Sequence, residues 1–101
     1  MSQIIELTSF TLKKGVSEQD FLLAHKKFNQ EFLLNQAGYV SHKLLKDDGA
    51  WYDLVVWCTN EEKERAFDVV NDHPAAIEYM KFIDQVGTDD DIPIFTVIKD
   101  Y

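Results

Sequence analysis

One aspartate in this chain has neighbours that favour acid–base chemistry. Asp53 stands between Trp51 and Trp57, and the alternation of side chains in a strand places all three on one face together with Val55. A carboxyl group among apolar side chains has a raised pKa, which suits a general base. The other interpretation is an ion pair between Asp53 and Lys43 across a hairpin, and the sequence leaves both open.

Two histidines are further candidates for proton transfer. His42 alternates with Val40 and Leu44, so it can point from a strand into a cavity and act as a base near neutral pH. His73 directly precedes Pro74, and the residue before a proline at the first helical position is the N-cap. His73 is therefore either a helix cap or a further catalytic candidate.

Neither a metal site nor a cofactor is predicted. His25, His42 and His73 lack the i, i+4 spacing of metal ligands on a helix. His25 falls on a helical stripe of phenylalanines, where a packed histidine is expected. The single cysteine, Cys58, allows no disulfide within the chain and no cysteine-based metal site, and we expect it to be buried against helices as a small apolar side chain.

Composition narrows the classes of partner. The chain has 101 residues, and we assign residues 1–101 to one domain. Its 18 acidic and 10 basic residues give a net charge of −8, which argues against nucleic acid and against an anionic membrane surface. Neither a signal peptide nor an apolar run of roughly 18 residues is recognisable, so a cytoplasmic location is expected.

The hydrophobic pattern predicts three strands and a helix in the first part of the chain. Ser17 is a suitable N-cap, and Asp48-Gly49 is a turn dipeptide that joins a hairpin. The predicted elements are a strand Ile4–Leu12, a helix from Ser17 to about Asn35, and the hairpin strands Tyr39–Lys46 and Trp51–Thr59.

A second helical region and a last strand follow. Thr59 and Glu62 form a capping box for a helix that runs to about Asn71. Proline fits the first position of a helix and breaks a helix interior, so Pro74 restarts it. Two further elements are predicted, a helical piece Pro74–Val86 and a strand Ile92–Tyr101.

The order β-α-β-β-α-β predicts an α+β fold of the ferredoxin-like type, with two helices on one face of a four-stranded antiparallel sheet. Because they are smaller and uncharged, Tyr52, Leu54, Val56 and Cys58 are assigned to the face under the helices. The alternate residues of the same strand, Trp51, Asp53, Val55 and Trp57, then lie on the open face. Two such faces can meet in a homodimer around a central lumen. The predicted substrate-binding residues are Glu6, Thr8, Phe10, Trp51, Val55 and Trp57.

The run DLVVWCTNEEKERAF, residues 53–67, resembles the third strand and second helix of antibiotic-biosynthesis-monooxygenase-like proteins. Together with the order of elements, the resemblance covers nearly the whole chain and implies the dimeric α+β barrel superfamily. That superfamily includes cofactor-free monooxygenases of polycyclic aromatics, haem-degrading monooxygenases, polyketide cyclases and muconolactone isomerases. The resemblance implies a fold and a homodimer more specifically than it implies a reaction.

Two branches of the superfamily can be compared residue by residue. The asparagine, tryptophan and haem-ligating histidine of the haem-degrading branch fall on Thr8, Val70 and Met80, which disfavours haem degradation. The plant polyketide-cyclase branch has a His-Pro-Ala-His run that resembles the chain from His73 onward. However, its catalytic histidine falls on Ala76 and its tyrosine on Val70, so that activity is not carried over.

The sequence therefore leaves open whether the protein is an enzyme. The first hypothesis is a cofactor-independent monooxygenase that acts on a hydrophobic or aromatic small molecule. The alternatives are a non-catalytic, ligand-binding or stress-related dimer with a packed lumen, and a cyclase-like or isomerase activity. A cavity of roughly 300 Å³ or more, with converging polar groups, distinguishes a ligand site from a packed interface.

Overall fold

A computed structural model describes residues 2–86 and 92–101. It contains one antiparallel sheet and three α-helices, which confirms the predicted α+β, ferredoxin-like class. The strands are β1 (Ile4–Leu12), β2 (Tyr39–Lys46), β3 (Trp51–Trp57), β4 (Ile83–Val86) and β5 (Ile94–Thr96). The helices are α1 (Glu18–Glu31), α2 (Asn60–Val70) and α3 (Pro74–Met80), and a 3₁₀ turn covers Leu33–Asn35.

The sheet has the strand order β2-β3-β1-β4, and β5 pairs with the same β1 strand. Both β4 and β5 run antiparallel to β1. The strand β4 pairs with the end of β1, where Phe10 stands opposite Val86, and β5 pairs with the start of β1, where Ile4 stands opposite Thr96. The two short strands therefore share one edge of β1 and together occupy the place of the fourth strand in a ferredoxin-like sheet.

The helix caps predicted from the sequence are confirmed. The backbone N–H of Asp20 donates to the Ser17 hydroxyl at 3.2 Å. At α2, the N–H of Glu62 donates to the Thr59 hydroxyl, which in turn donates to the Glu62 carboxylate. At α3, the N–H of Ala75 donates to His73 Nδ1 at 3.1 Å, so His73 is a helix cap.

The predicted helix Pro74–Val86 is too long. The helix ends at Met80, the N–H groups of Lys81 and Phe82 close its last turn, and Ile83 begins β4 opposite Leu12. The apolar positions after Met80 fit a helix as well as a strand, and the unpaired edge of β1 decides between them because its backbone groups need partners. The last strand is also shorter than the predicted Ile92–Tyr101.

The assignment of sheet faces is also wrong by one residue. Asp53, Val55 and Trp57 are buried under the helices, and Tyr52, Leu54 and Val56 lie on the open face. The partner strand β1 agrees, since Thr8 stands opposite Asp53 and Leu7 opposite Leu54. The residues predicted to share a face do share it, but helices cover that face.

The prediction that Cys58 is buried is wrong for the same reason. As the next residue after Trp57, it points away from the helices and is exposed, not buried. Within the described ranges, none of the helices is long and apolar enough to cross a membrane.

Candidate functional site

A cavity of about 210 Å³ lies between the sheet and the helices. Its walls are mainly apolar and include Phe28 and Phe32 from α1 and Ala66 from α2. The volume is below the roughly 300 Å³ at which ligand sites usually begin, so it suits a small ligand. The polar residues on its wall are Glu6, Thr8, Asp53, Lys63, Asn71 and Tyr79.

Three side chains, those of His25, His42 and Tyr79, meet around Asp53, and we call the four residues together the histidine–carboxylate cluster. The Nε2 atoms of His25 and His42 each lie 2.7 Å from the same oxygen, Asp53 Oδ1. The Tyr79 hydroxyl donates to the other oxygen, Oδ2, at 2.5 Å. The residues come from α1, β2, β3 and α3, so the whole fold brings them together.

The pKa values of the two acidic groups of the cluster shift in opposite directions. For Asp53, burial is the largest influence and favours the neutral form, but hydrogen bonds and positive charge from His25 and His42 outweigh it and hold the pKa at about 2. For Tyr79, burial raises the pKa of the phenol, and the charge and hydrogen bond of Asp53 raise it further. Asp53 is therefore an ionised acceptor, contrary to the raised pKa predicted from its apolar neighbours.

Glu6 is the carboxyl group with the opposite shift. Burial raises its pKa, although the hydrogen bond from Trp57 and the charge of Lys63 oppose that shift. The indole Nε1–H of Trp57 donates to Glu6 Oε1 at 3.2 Å. Among the hydrogen bonds of the described residues, Oε2 of Glu6 takes no part, so this oxygen can accept a proton from a ligand.

Lys63 brings a positive charge to the same wall. Its side chain is only 11% exposed, and its ammonium group donates to Glu64 Oε1 at 3.1 Å. Among the described residues, the exposed Glu64 is its one hydrogen-bond partner, and an ammonium group carries three donors, so Lys63 can also bind a negatively charged group in the cavity.

The structure places the predicted site residues in two groups. Asp53 and the predicted binding residues Glu6, Thr8, Phe10, Val55 and Trp57 line the cavity. Trp51 packs on Phe21, with ring centroids 5.1 Å apart. His42 is hydrogen-bonded to Asp53. His73 caps α3 next to Phe32, with ring centroids 5.3 Å apart. The alternative pairing of Asp53 with Lys43 is wrong, because Lys43 stands opposite Leu54.

Three residues of the site were not predicted: His25, Lys63 and Tyr79. Helical spacing contained a signal for two of them. Lys63 shares a face of α2 with Ala66, three positions on, and Tyr79 has the same relation to Ala76. His25 was assigned to packing, and the spacing rule missed its convergence with His42 and Asp53 because the three donors come from separate elements.

Comparisons with known proteins agree at the level of the fold. No protein-family model matches the chain, and no curated protein matches it. The structure of SnoaB, a cofactor-independent oxygenase from Streptomyces nogalater, is similar with a TM-score of 0.75 at 17% identity, over 99% of this chain and 97% of that one. A candidate antibiotic biosynthesis monooxygenase from Chloroflexus aurantiacus has a TM-score of 0.67 at 11% identity, over 99% and 97%.

A third similar structure is a variant of MhuD with two manganese protoporphyrin IX molecules bound per active site. Its TM-score is 0.66 at 13% identity, over 97% of each chain. At these identities the likeness establishes the fold alone, which the chain shares with SnoaB and with the candidate antibiotic biosynthesis monooxygenase. The resemblance predicted from the sequence is confirmed to that extent.

Proposed function

We propose that the protein is a cofactor-independent monooxygenase that acts on a small hydrophobic or aromatic compound in the cavity. The observation that carries the proposal is Glu6, a carboxyl group with a raised pKa that lies on the wall of an aromatic-lined cavity. A raised pKa makes its carboxylate a stronger base than an ordinary glutamate. The likeness to a cofactor-independent oxygenase supports the class of reaction.

In the proposed reaction, Glu6 Oε2 removes a proton from an activated CH₂ group of the substrate. The resulting carbanion reacts with O₂, the CH₂ group becomes a carbonyl, and the second oxygen atom leaves as water. The four electrons that the carbon loses are the four that O₂ gains, so no other reductant is needed. The ammonium of Lys63 stabilises the negative charge that develops on the substrate.

The size of the cavity restricts the substrate class. A cavity of roughly 150 Å³ lined by apolar side chains holds benzene. A volume of about 210 Å³ therefore suits a substituted single ring better than a large polycycle. The hydroxylated aromatic compounds that fit this size and carry an activated CH₂ group are the first substrates to test.

The residues that line the cavity support a cyclase or haem-degrading activity less well. Val70, Ala76 and Met80, where other branches carry catalytic or haem-binding groups, all line this cavity. All three are apolar and offer neither an acid–base group nor a strong haem ligand. We therefore prefer the oxygenase proposal, with Asp53 and His42 as fixed hydrogen-bonding groups behind the reacting carboxylate, to a cyclase or a haem-degrading enzyme.

Oxygen uptake tests the proposal directly. The protein is incubated with a panel of hydroxylated single-ring and two-ring aromatics in the presence of a chelator, and dissolved O₂ and product mass are followed. We expect uptake of one O₂ per product that has lost two hydrogens and gained one oxygen. A ligand that raises the melting temperature without any O₂ uptake would instead support the non-catalytic, ligand-binding alternative.

We also propose that the open sheet face joins two copies in a homodimer. Ile5, Leu7, Leu54 and Val56 form its centre and are partly exposed in the single chain. Phe95 of β5 extends this apolar surface and is 50% exposed. An apolar sheet face of this kind is stable in water when another sheet covers it.

Leu54→Asp is expected to separate the dimer, because it places a charge at the centre of the covered face. Sedimentation velocity at a fixed protein concentration measures the result. The control is Leu23→Asp on α1, a leucine that is 63% exposed away from this face, and this variant should remain dimeric. Equal sedimentation of the two variants, both folded by circular dichroism, would contradict the proposed interface.

A further inference from the structure

The histidine–carboxylate cluster has the donor set of a metal site. His25 Nε2, His42 Nε2 and a carboxylate oxygen of Asp53 all lie within 4.8 Å of one another. Both nitrogens approach the same oxygen at 2.7 Å. Zinc bonds to histidine nitrogen and carboxylate oxygen are about 2.0–2.2 Å long, so the three side chains would have to shift locally to place their donors around one ion.

The hydrogen bonds that His42 and Asp53 make with neighbouring residues are those expected of metal ligands. The Nδ1 atom of His42 lies 3.0 Å from Asn29 Oδ1, an acceptor that also receives the Tyr39 hydroxyl. His42 therefore donates from Nδ1, and the second oxygen of Asp53 accepts from Tyr79. Metal-ligating histidines donate their other N–H to an oxygen, and ligating carboxylates are themselves hydrogen-bonded.

This arrangement suits a proton or a metal ion between His42 Nε2 and Asp53 Oδ1. With hydrogen on Nδ1, a neutral His42 ring directs the lone pair of Nε2 at a carboxylate oxygen 2.7 Å away. Two lone pairs at that distance repel each other unless a proton or a metal ion lies between them. His25 brings a second nitrogen to the same oxygen, and three converging donors suit a metal ion.

We propose that His25 Nε2, His42 Nε2 and Asp53 Oδ1 bind one divalent first-row transition metal ion. Two histidines and one carboxylate are the donor set of non-haem iron(II) sites, and imidazole also suits zinc, cobalt and nickel. Asp53 lines the cavity as well, so one of the three metal ligands adjoins the space where a small ligand would bind. The proposal goes beyond the proposed function, because the reaction at Glu6 requires no metal.

Cobalt(II) is the probe. The protein is stripped with a chelator, desalted and titrated with Co²⁺ while its visible d–d absorption is recorded, and Zn²⁺ is then added. We expect one Co²⁺ per chain, an absorption spectrum typical of nitrogen and oxygen ligands, and loss of that spectrum when Zn²⁺ displaces the cobalt. A rise in melting temperature with Zn²⁺ is the second readout.

Three variants test whether these residues bind the metal ion. His42→Gln removes a ligand and is expected to abolish the spectrum at one equivalent of Co²⁺. Asn29→Ala keeps all three ligands but removes the group that orients His42, and a loss of this kind typically weakens metal binding about 10–100-fold. His73→Asn is the matched control, since it removes a histidine outside the cluster, retains a good helix cap and should bind like the unmodified protein.

The proposal is overturned if the stripped protein gives no cobalt spectrum and no Zn²⁺-dependent rise in melting temperature. It is equally overturned if Asn29→Ala, folded by circular dichroism, binds as tightly as His73→Asn. Neither result affects the oxygenase proposal, because oxygen uptake is measured with a chelator present. Conversely, a protein that binds Co²⁺ and consumes no O₂ supports the metal site alone.

Discussion

Replacing Asp53 with alanine is expected to lower the free energy of unfolding by about 3–5 kcal/mol, the usual loss when one partner of a buried charged group is removed. The side chain of His42 is only 2% exposed, and its Nε2 would lose its acceptor. Tyr79 would lose the acceptor of its buried hydroxyl. Domains of this size are stable by about 5–15 kcal/mol, so the variant should retain only part of its stability.

Urea denaturation in the presence of a chelator measures this loss without any contribution from bound metal. Asp68→Ala on α2 is the control, because it removes an exposed aspartate and should change stability by less than about 0.5 kcal/mol. A double-mutant cycle with Asp53→Leu and His42→Leu then isolates their interaction, for which contacting charged residues typically give about 0.5–3 kcal/mol. Additive losses in the cycle would contradict the coupling that the geometry indicates.

The cluster also explains why the sequence predicted the strands well and the sheet faces badly. Alternation correctly placed Asp53, Val55 and Trp57 on one face with Glu6 and Thr8 of β1. The choice between the two faces depended on the rule that a charged residue avoids the core. That rule fails here because partners 11, 26 and 28 residues away in the chain supply the missing hydrogen bonds.

The sequence predicted correctly those features that depend on interactions between residues close together in the chain. The caps at Ser17, Thr59 and His73 depend on residues within three positions, and the structure has all of them. The end of α3 depends on the distant edge of β1, and the pKa of Asp53 depends on two histidines from other elements. Side-chain alternation and capping can be predicted from one sequence, whereas a site assembled by the fold cannot be predicted from spacing.

Glu6→Gln is expected to reduce turnover by about 10²–10⁴-fold, the range that general acid–base catalysis usually contributes. Glutamine keeps the size of the side chain and an oxygen that can accept from Trp57, so binding should change less than kcat. With an aromatic substrate that the unmodified protein oxidises, kcat and KM are measured separately. Glu61→Gln, at an exposed position on α2, is the matched control and should keep most of its turnover.

The same variant is expected to be more stable than the unmodified protein, and the difference should depend on pH. The pKa of Glu6 is raised in the folded protein above its ordinary value of 4.5, mainly by burial. Folding therefore favours the protonated form, and this favourable contribution is complete below pH 4.5 and is lost as the pH rises through the folded-state pKa. Glutamine cannot ionise, so its advantage in melting temperature should be small at low pH and grow toward neutral pH. A constant difference across that range, or a less stable Glu6→Gln at neutral pH, would show that the Glu6 carboxylate is not disfavoured by the cavity, and the case for this residue as the base would fail.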